Sequence, residues 1–221
     1  MKRLDENIKK DIVDELYWDN RIDASQVNVT VNDGIVTLSG SVPTYSDLAI
    51  AKIAASRING VFDVIDKLTV EYTSPPTLPS DMEIKSRAED ILTWDPVIDD
   101  SAITITVSAG LVTIEGTVDA LWKKSTIENK LAGIHGILKI ENKLAVVPTQ
   151  RISDENIAKD VVSALDRDIL VDAENVTVKV DDSVVKLSGN VPSWASKHAA
   201  EVDASLTSGV MDVKNELDVN A

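Results

Sequence analysis

One short pattern occurs three times along the chain, and it limits the fold more than any other feature. It first reads Asp33-Gly34-Ile35-Val36-Thr37-Leu38-Ser39-Gly40-Ser41-Val42-Pro43. It returns as Ala109-Gly110-Leu111-Val112-Thr113-Ile114-Glu115-Gly116-Thr117-Val118-Asp119, and again as Asp182-Ser183-Val184-Val185-Lys186-Leu187-Ser188-Gly189-Asn190-Val191-Pro192. Asp33-Gly34 is a two-residue hairpin signal, because glycine reaches positive φ without steric cost. Val27, Val29 and Val31 alternate before it, and Val36, Leu38 and Val42 continue the alternation after it. Period two describes a strand with one buried face. That parity puts Gly40, Gly116 and Gly189 on the buried face. A glycine inside a strand often marks a close approach, so the expectation is a helix lying directly over each one.

A repeat of this kind divides 221 residues into three units of one design. Each opens with an aspartate suited to an N-cap: Asp5, Asp81 and Asp154. Apolar residues then fall at helical spacing, as in Ile8, Ile12 and Leu16, or Ile157, Val161 and Leu165. The hairpin follows. A second helix comes next, with a small inner face in the outer units (Ala51 and Ala55, Ala200 and Ala204) and a larger one in the middle (Ile127 and Leu131). Gly60, Gly136 and Gly209 read as its C-terminal glycines. A third strand closes the unit and should run parallel to one of the first two; which one pairs with it is open. The expected class is α+β: three tandem αββαβ modules, each a three-stranded sheet with two helices on one face. The expected domains span 1–73, 78–147 and 151–221. The proline-rich connection from Thr73 to Pro79 reads as a stiff spacer. Eight glycines are expected to be critical to the fold: Gly34, Gly40, Gly60, Gly110, Gly116, Gly136, Gly189 and Gly209.

Charge and composition narrow the function classes. The net charge is −15, and each of the three units is acidic. Nucleic acid is disfavoured as a partner, since its phosphates require Lys and Arg. A basic partner or a cation, monovalent or divalent, is favoured instead. The chain has no cysteine, which excludes disulfides and thiolate sites. No apolar run approaches a membrane span, so no transmembrane segment is expected. The first residues do not form a secretory signal, which points to the cytoplasm, or to the periplasm if a leader has been removed.

Together the capped helix, the Val-x-Val-x-Val strand, the Gly-x-Val-x-Leu-x-Gly-x-Val segment and the helix ending in Gly-Val resemble the BON domain, named for bacterial OsmY and nodulation proteins. The resemblance covers nearly the whole chain, three times. Ser183 departs from it, standing where the family has its turn glycine, which predicts a looser third hairpin. The resemblance implies an αββαβ fold, a bacterial source and an association with osmotic or envelope stress. It also implies contact with phospholipid or with another protein. Family members are often periplasmic or lipid-anchored. A cytoplasmic potassium-sensing relative makes cation sensing the alternative.

Candidate chemistry is sparse. No Ser-His-Asp arrangement, phosphate loop or dinucleotide fingerprint is present, so no enzyme, catalytic residue, metal site or cofactor is expected. His135 and His198 read as surface residues without a role. Asp99-Asp100, Asp172 to Glu174 and Asp181-Asp182 read as solvated turn residues, with a cation site completed by strand-end carbonyls as the alternative. Tyr45, Trp122 with Lys123 and Lys124, and Trp194 with Lys197 cluster at the start of the second helices. An aromatic beside lysines suits lipid head groups. The same aromatic also suits a cover over the core or a contact with the next unit, and that packing reading is preferred. Trp18 and Trp94, at the end of the first helices, are expected to plug the core.

Overall fold

The computed structural model describes residues 4–72 and 78–219. Most of the expected spacer, residues 73–77, lies outside them. The first module runs α1 (Asp5–Trp18), β1 (Val27–Asn32), β2 (Ile35–Val42), α2 (Tyr45–Ser56) and β3 (Asp63–Val70). The second runs α3 (Asp81–Thr93), β4 (Ile103–Ser108), β5 (Leu111–Val118), α4 (Leu121–Leu131) and β6 (Lys139–Val146). The third runs α5 (Asp154–Leu165), β7 (Val176–Asp181), β8 (Val184–Val191), α6 (Trp194–Leu206) and β9 (Asp212–Val219). Each module carries its own three-stranded sheet, in the orders β1-β2-β3, β4-β5-β6 and β7-β8-β9. The third strand therefore joins the second one, and β2–β3 and β8–β9 are parallel. By contacts the chain divides into two compact units, residues 1–116 with 125–144 and residues 117–124 with 145–221.

The period-two and helical patterns meet in the cores. In the first module Ile8, Ile12 and Leu16 of α1 close on Val36, Leu38 and Val42 of β2 and on Ala51 and Ala55 of α2. The third module repeats this with Ile157, Val161 and Leu165 of α5 against Val185, Leu187 and Val191 of β8 and Ala200 and Ala204 of α6. In the middle module Ile127 and Leu131 of α4 take the places of the alanines and are fully buried.

The opening aspartates do not cap their helices. Each is the first helical residue, and the N-caps are Leu4, Ser80 and Ser153. Their carboxylates instead hold the hairpin turn with two hydrogen bonds. Asp33 N–H and Gly34 N–H donate to Asp5 at 2.8 and 3.0 Å. Ala109 and Gly110 donate to Asp81 at 2.7 and 3.0 Å, and Asp182 and Ser183 donate to Asp154, both at 3.0 Å. On its other side the turn accepts from the residue that leads into the third strand. Phe62, Leu138 and Met211 donate their N–H to the carbonyls of Gly34, Gly110 and Ser183, each at 2.9 Å. One turn residue thus gathers the first helix, the hairpin and the third strand.

Three local expectations change. The third hairpin is as tight as the others. Asp181 still pairs with Val184, and Ser183 takes the left-handed conformation itself, at φ 62°. The strand glycines are not covered by a helix, and Gly40 and Gly116 are exposed. Their φ values are 106°, 125° and 130° for Gly40, Gly116 and Gly189. A Cβ at these three positions would collide with the carbonyl oxygens of Gln26, Ala102 and Asn175 on the entry to the neighbouring strand. Glycine is set there by backbone approach within the sheet. Gly60, Gly136 and Gly209, finally, lie beyond the helix ends at Ser56, Leu131 and Leu206, in the turn leading to the third strand.

Two outcomes follow from this geometry. Gly116→Ala destabilises the chain by about as much as Gly116→Val, in the range of about 1–3 kcal/mol for overpacking, because the first carbon already collides. Urea unfolding of the pair checks this, since a helix overhead would spare the alanine. Asp81→Ala costs about 1.5–3 kcal/mol, the range for hydrogen bonds to a charged group. Amide exchange should then accelerate at Ala109 and Gly110.

Candidate functional site

The core stripe of α1 fixes where its last residues point. Leu16 faces inward, and a residue two places further on lies about 200° around the helix, on the opposite side. Trp18 is accordingly 75% exposed, with Tyr17 edge-on to it at 5.2 Å. Trp94, after α3, is 85% exposed, and Val97 beside it is exposed too. The third module has no tryptophan here, yet its loop presents Ile169, 99% exposed, and Leu170. The expected core plug is therefore wrong. Each module displays an apolar tip between its first helix and first strand. The helical spacing itself contains the signal, because Trp18 is out of phase with Ile8, Ile12 and Leu16.

The residues singled out in the sequence lie elsewhere. Tyr45 is half-buried and donates its hydroxyl to Glu128 of α4 at 3.3 Å, while Asn142 of β6 holds the other oxygen of the same carboxylate at 3.3 Å. Tyr72 makes a second link between the first two modules. Its hydroxyl accepts from Gly136 N–H at 2.8 Å and donates to the Ile137 carbonyl at 3.3 Å. His135 lies edge-on against its ring at 4.8 Å. Trp122 is half-buried, with the Lys123 ammonium 5.7 Å from its ring centre and 2.7 Å from Asp119. Lys124 is half-buried and also has a partner. Trp194 stacks on His198 at 4.9 Å, and the Lys197 carbonyl accepts from Asn215 at 2.9 Å. Within the second compact unit, Leu121, at the repeat position of Tyr45, packs against the third core.

The acidic turns are tied into local structure. Asp99 accepts from Ser101 N–H, Asp100 from the Thr93 hydroxyl at 2.6 Å, and Asp172 from Glu174 N–H and Asn175. Among the described residues no group of three or more His, Cys, Asp or Glu could hold a metal ion. No helix among them is long and apolar enough to cross a membrane. An open cleft of 700 Å³ lies between the ends of α5 and α6, lined by Arg167, Asp168, Ile169 and Asp203 among others. There the Oδ2 atom of Asp203 is buried without a hydrogen bond, and burial, then the charge of Asp168, push its carboxyl above the usual carboxylate range.

Comparison with known sequences places this architecture. The BON domain profile matches residues 4–72, 80–148 and 153–221. The chain belongs to the BON domain family. It is 30% identical over 145 residues to "Osmotically-inducible protein Y" of Escherichia coli (strain K12), an alignment covering 54% of this chain and 72% of that protein. Two solved structures of CdsD, a structural protein of the type III secretion system of Chlamydia trachomatis, also align. They share 15% and 16% identity, over 100% and 97% of this chain and 100% and 92% of theirs, each with a TM-score of 0.27. Overlap that low carries nothing about this fold.

In this BON chain the two tyrosines make the link between the first and second modules sensitive to alkali. Burial, then the charge and hydrogen bond of Glu128, push the Tyr45 phenol up to about 12. Burial raises Tyr72 as well, opposed by the Gly136 N–H. The folded state holds the Tyr45 proton more tightly than the unfolded chain. Its contribution is therefore complete below the ordinary value of 10.0 and is lost as pH rises toward about 12. Tyr45→Phe should flatten the fall in stability between about pH 10 and pH 12, measured by urea unfolding. Absorbance titration should show one tyrosine fewer ionising late.

Proposed function

We propose that this chain is a non-enzymatic, stress-associated binding protein that attaches to phospholipid surfaces through the apolar tips of its three modules. The observation that carries the reading is the exposure of Trp18, Trp94 and Ile169, one in each module, at or just beyond the end of the first helix. Tryptophan and tyrosine seat well at the level of lipid head groups, where one end of the ring is apolar and the other wet. A single tip inserts weakly. Three on one chain act together through effective concentration, in whatever combination reaches the surface at once. The net charge of −15 removes any general attraction to anionic lipid. Attachment would then rest on apolar insertion and depend little on salt. The osmotically inducible relative supports the stress association. Tyr45 and Lys123, each held by a carboxylate, are poor candidates for the contact surface, which shifts it to the loops after α1, α3 and α5.

Intrinsic fluorescence with phosphatidylcholine vesicles tests this. Vesicles should shift the emission to the blue and carry the protein down on sedimentation, and salt should change neither much. Trp18→Ser with Trp94→Ser should lose most of both signals while melting at the parent temperature. A chain that neither shifts nor sediments is not a lipid-attaching protein; one that instead binds another protein through the same tips keeps the site and changes the partner.

A further inference from the structure

β1 is an edge strand, bonded to β2 on one side only. Its register fixes which backbone groups face outward. The turn residues Asp33 and Gly34 leave Asn32–Ile35 as the closing pair, so Asn28, Thr30 and Asn32 direct their N–H and C=O groups toward β2. Val29 and Val31 direct theirs away from it. Among the described residues these outward groups have no partner strand, and they repeat at every second residue, as an added strand requires.

Beside that edge lies a groove of 310 Å³ between α1 and β1, lined by Val13, Leu16, Tyr17, Ala24, Val27 and Val29 among others. The second module has a groove of 330 Å³ at the same repeat positions, where Glu89, Thr93 and Asp100 replace Val13, Tyr17 and Ala24. Two modules thus carry a groove at these positions, and its lining differs between them. In the second module Thr93 bonds to Asp100 across it. In the first no such bond is possible, and Val13 and Tyr17 leave apolar surface open to solvent.

We propose that the α1–β1 groove of the first module takes an extended, basic peptide with apolar residues at alternate positions, added to the sheet as a fourth strand. The outward groups of Val29 and Val31 would pair with its main chain. Its apolar side chains would enter the groove between Val13 and Tyr17, while the basic ones face solvent. Basic character follows from the charge of −15 and from Asp23 on the groove wall. The same charge argues against a second copy of this chain. A lipid tail fills apolar space but leaves alternating N–H and C=O groups unpaired, so a polypeptide suits the edge better. The inference is independent of attachment through Trp18 and Trp94.

The test uses the full chain and a labelled ten-residue peptide of alternating valine and lysine, followed by fluorescence anisotropy. Binding should be measurable below about 1 mM peptide. Amide exchange should slow at Val29 and Val31. N-methylation of alternate peptide residues should weaken binding at least about tenfold, since it removes the main-chain pairs while keeping the charge. Val13→Thr with Tyr17→Thr should weaken it similarly at an unchanged melting temperature, and Trp18→Ser should leave it intact. No binding at that concentration, binding without protection of Val29 and Val31, or equal binding of the N-methylated peptide would each overturn the proposal. Protection of the same two amides by phosphatidylcholine vesicles but not by peptide would give the groove to lipid and end the peptide reading. The N-methylated peptide keeps the test decisive even if the double variant fails to fold.

Discussion

A carboxylate gripping two backbone amides of a tight turn is the contact on which each module depends. A hairpin turn leaves its N–H groups facing outward, and a charged acceptor satisfies both at once, with bonds stronger than neutral ones. Because the acceptor is the first residue of the first helix, the bond also sets where that helix begins relative to the sheet. The carbonyl of the same turn takes the N–H that leads into the third strand. Sequence-distant pieces therefore converge on one residue, and its conformation is fixed from both sides. This explains how Ser183 occupies a position that suits glycine. A left-handed L-residue costs about 1–2 kcal/mol, and in the third module the bonds to Asp154 and from Met211 hold it there.

Much of the fold was legible because its determinants are local and repeated. The parity of Val36 and Leu38, the helical spacing of Ile8, Ile12 and Leu16, and the hairpin at Asp33-Gly34 each state their geometry within a few residues. The strand glycines show the limit of that reading. Parity tells which face Gly40 belongs to, but it does not reveal a φ of 106° or the nearness of the Gln26 carbonyl. The role of Asp5 was hidden for a related reason. An acidic residue at a helix start suits the dipole whether or not it also reaches a turn 28 residues away.

The candidate site was less legible. Trp18 and Trp94 look like core residues by type, and only their phase on the helix shows otherwise. Tyr45 reaches a glutamate 83 residues later, and nothing in the pattern around it names that partner. The third strand could have joined either edge of the hairpin, since both leave free backbone groups; the bond from Phe62 to Gly34 accompanies the choice of β2. The groove beside β1 was invisible in sequence, because Val13 and Tyr17 of α1 meet Ala24, Val27 and Val29 only once the helix lies along the edge of the sheet.

The two tyrosines have a consequence for the history of the chain. Leu121 and Trp194 stand where Tyr45 stands, and Pro148 stands where Tyr72 does. Copies that began as interchangeable have diverged at the residues by which the first two meet. Shuffling or excising the leading copy would now strip the Gly136 amide and the Glu128 carboxylate of partners that no other copy carries. Duplication made the modules alike, and their seam has since made the order in which they are read irreversible.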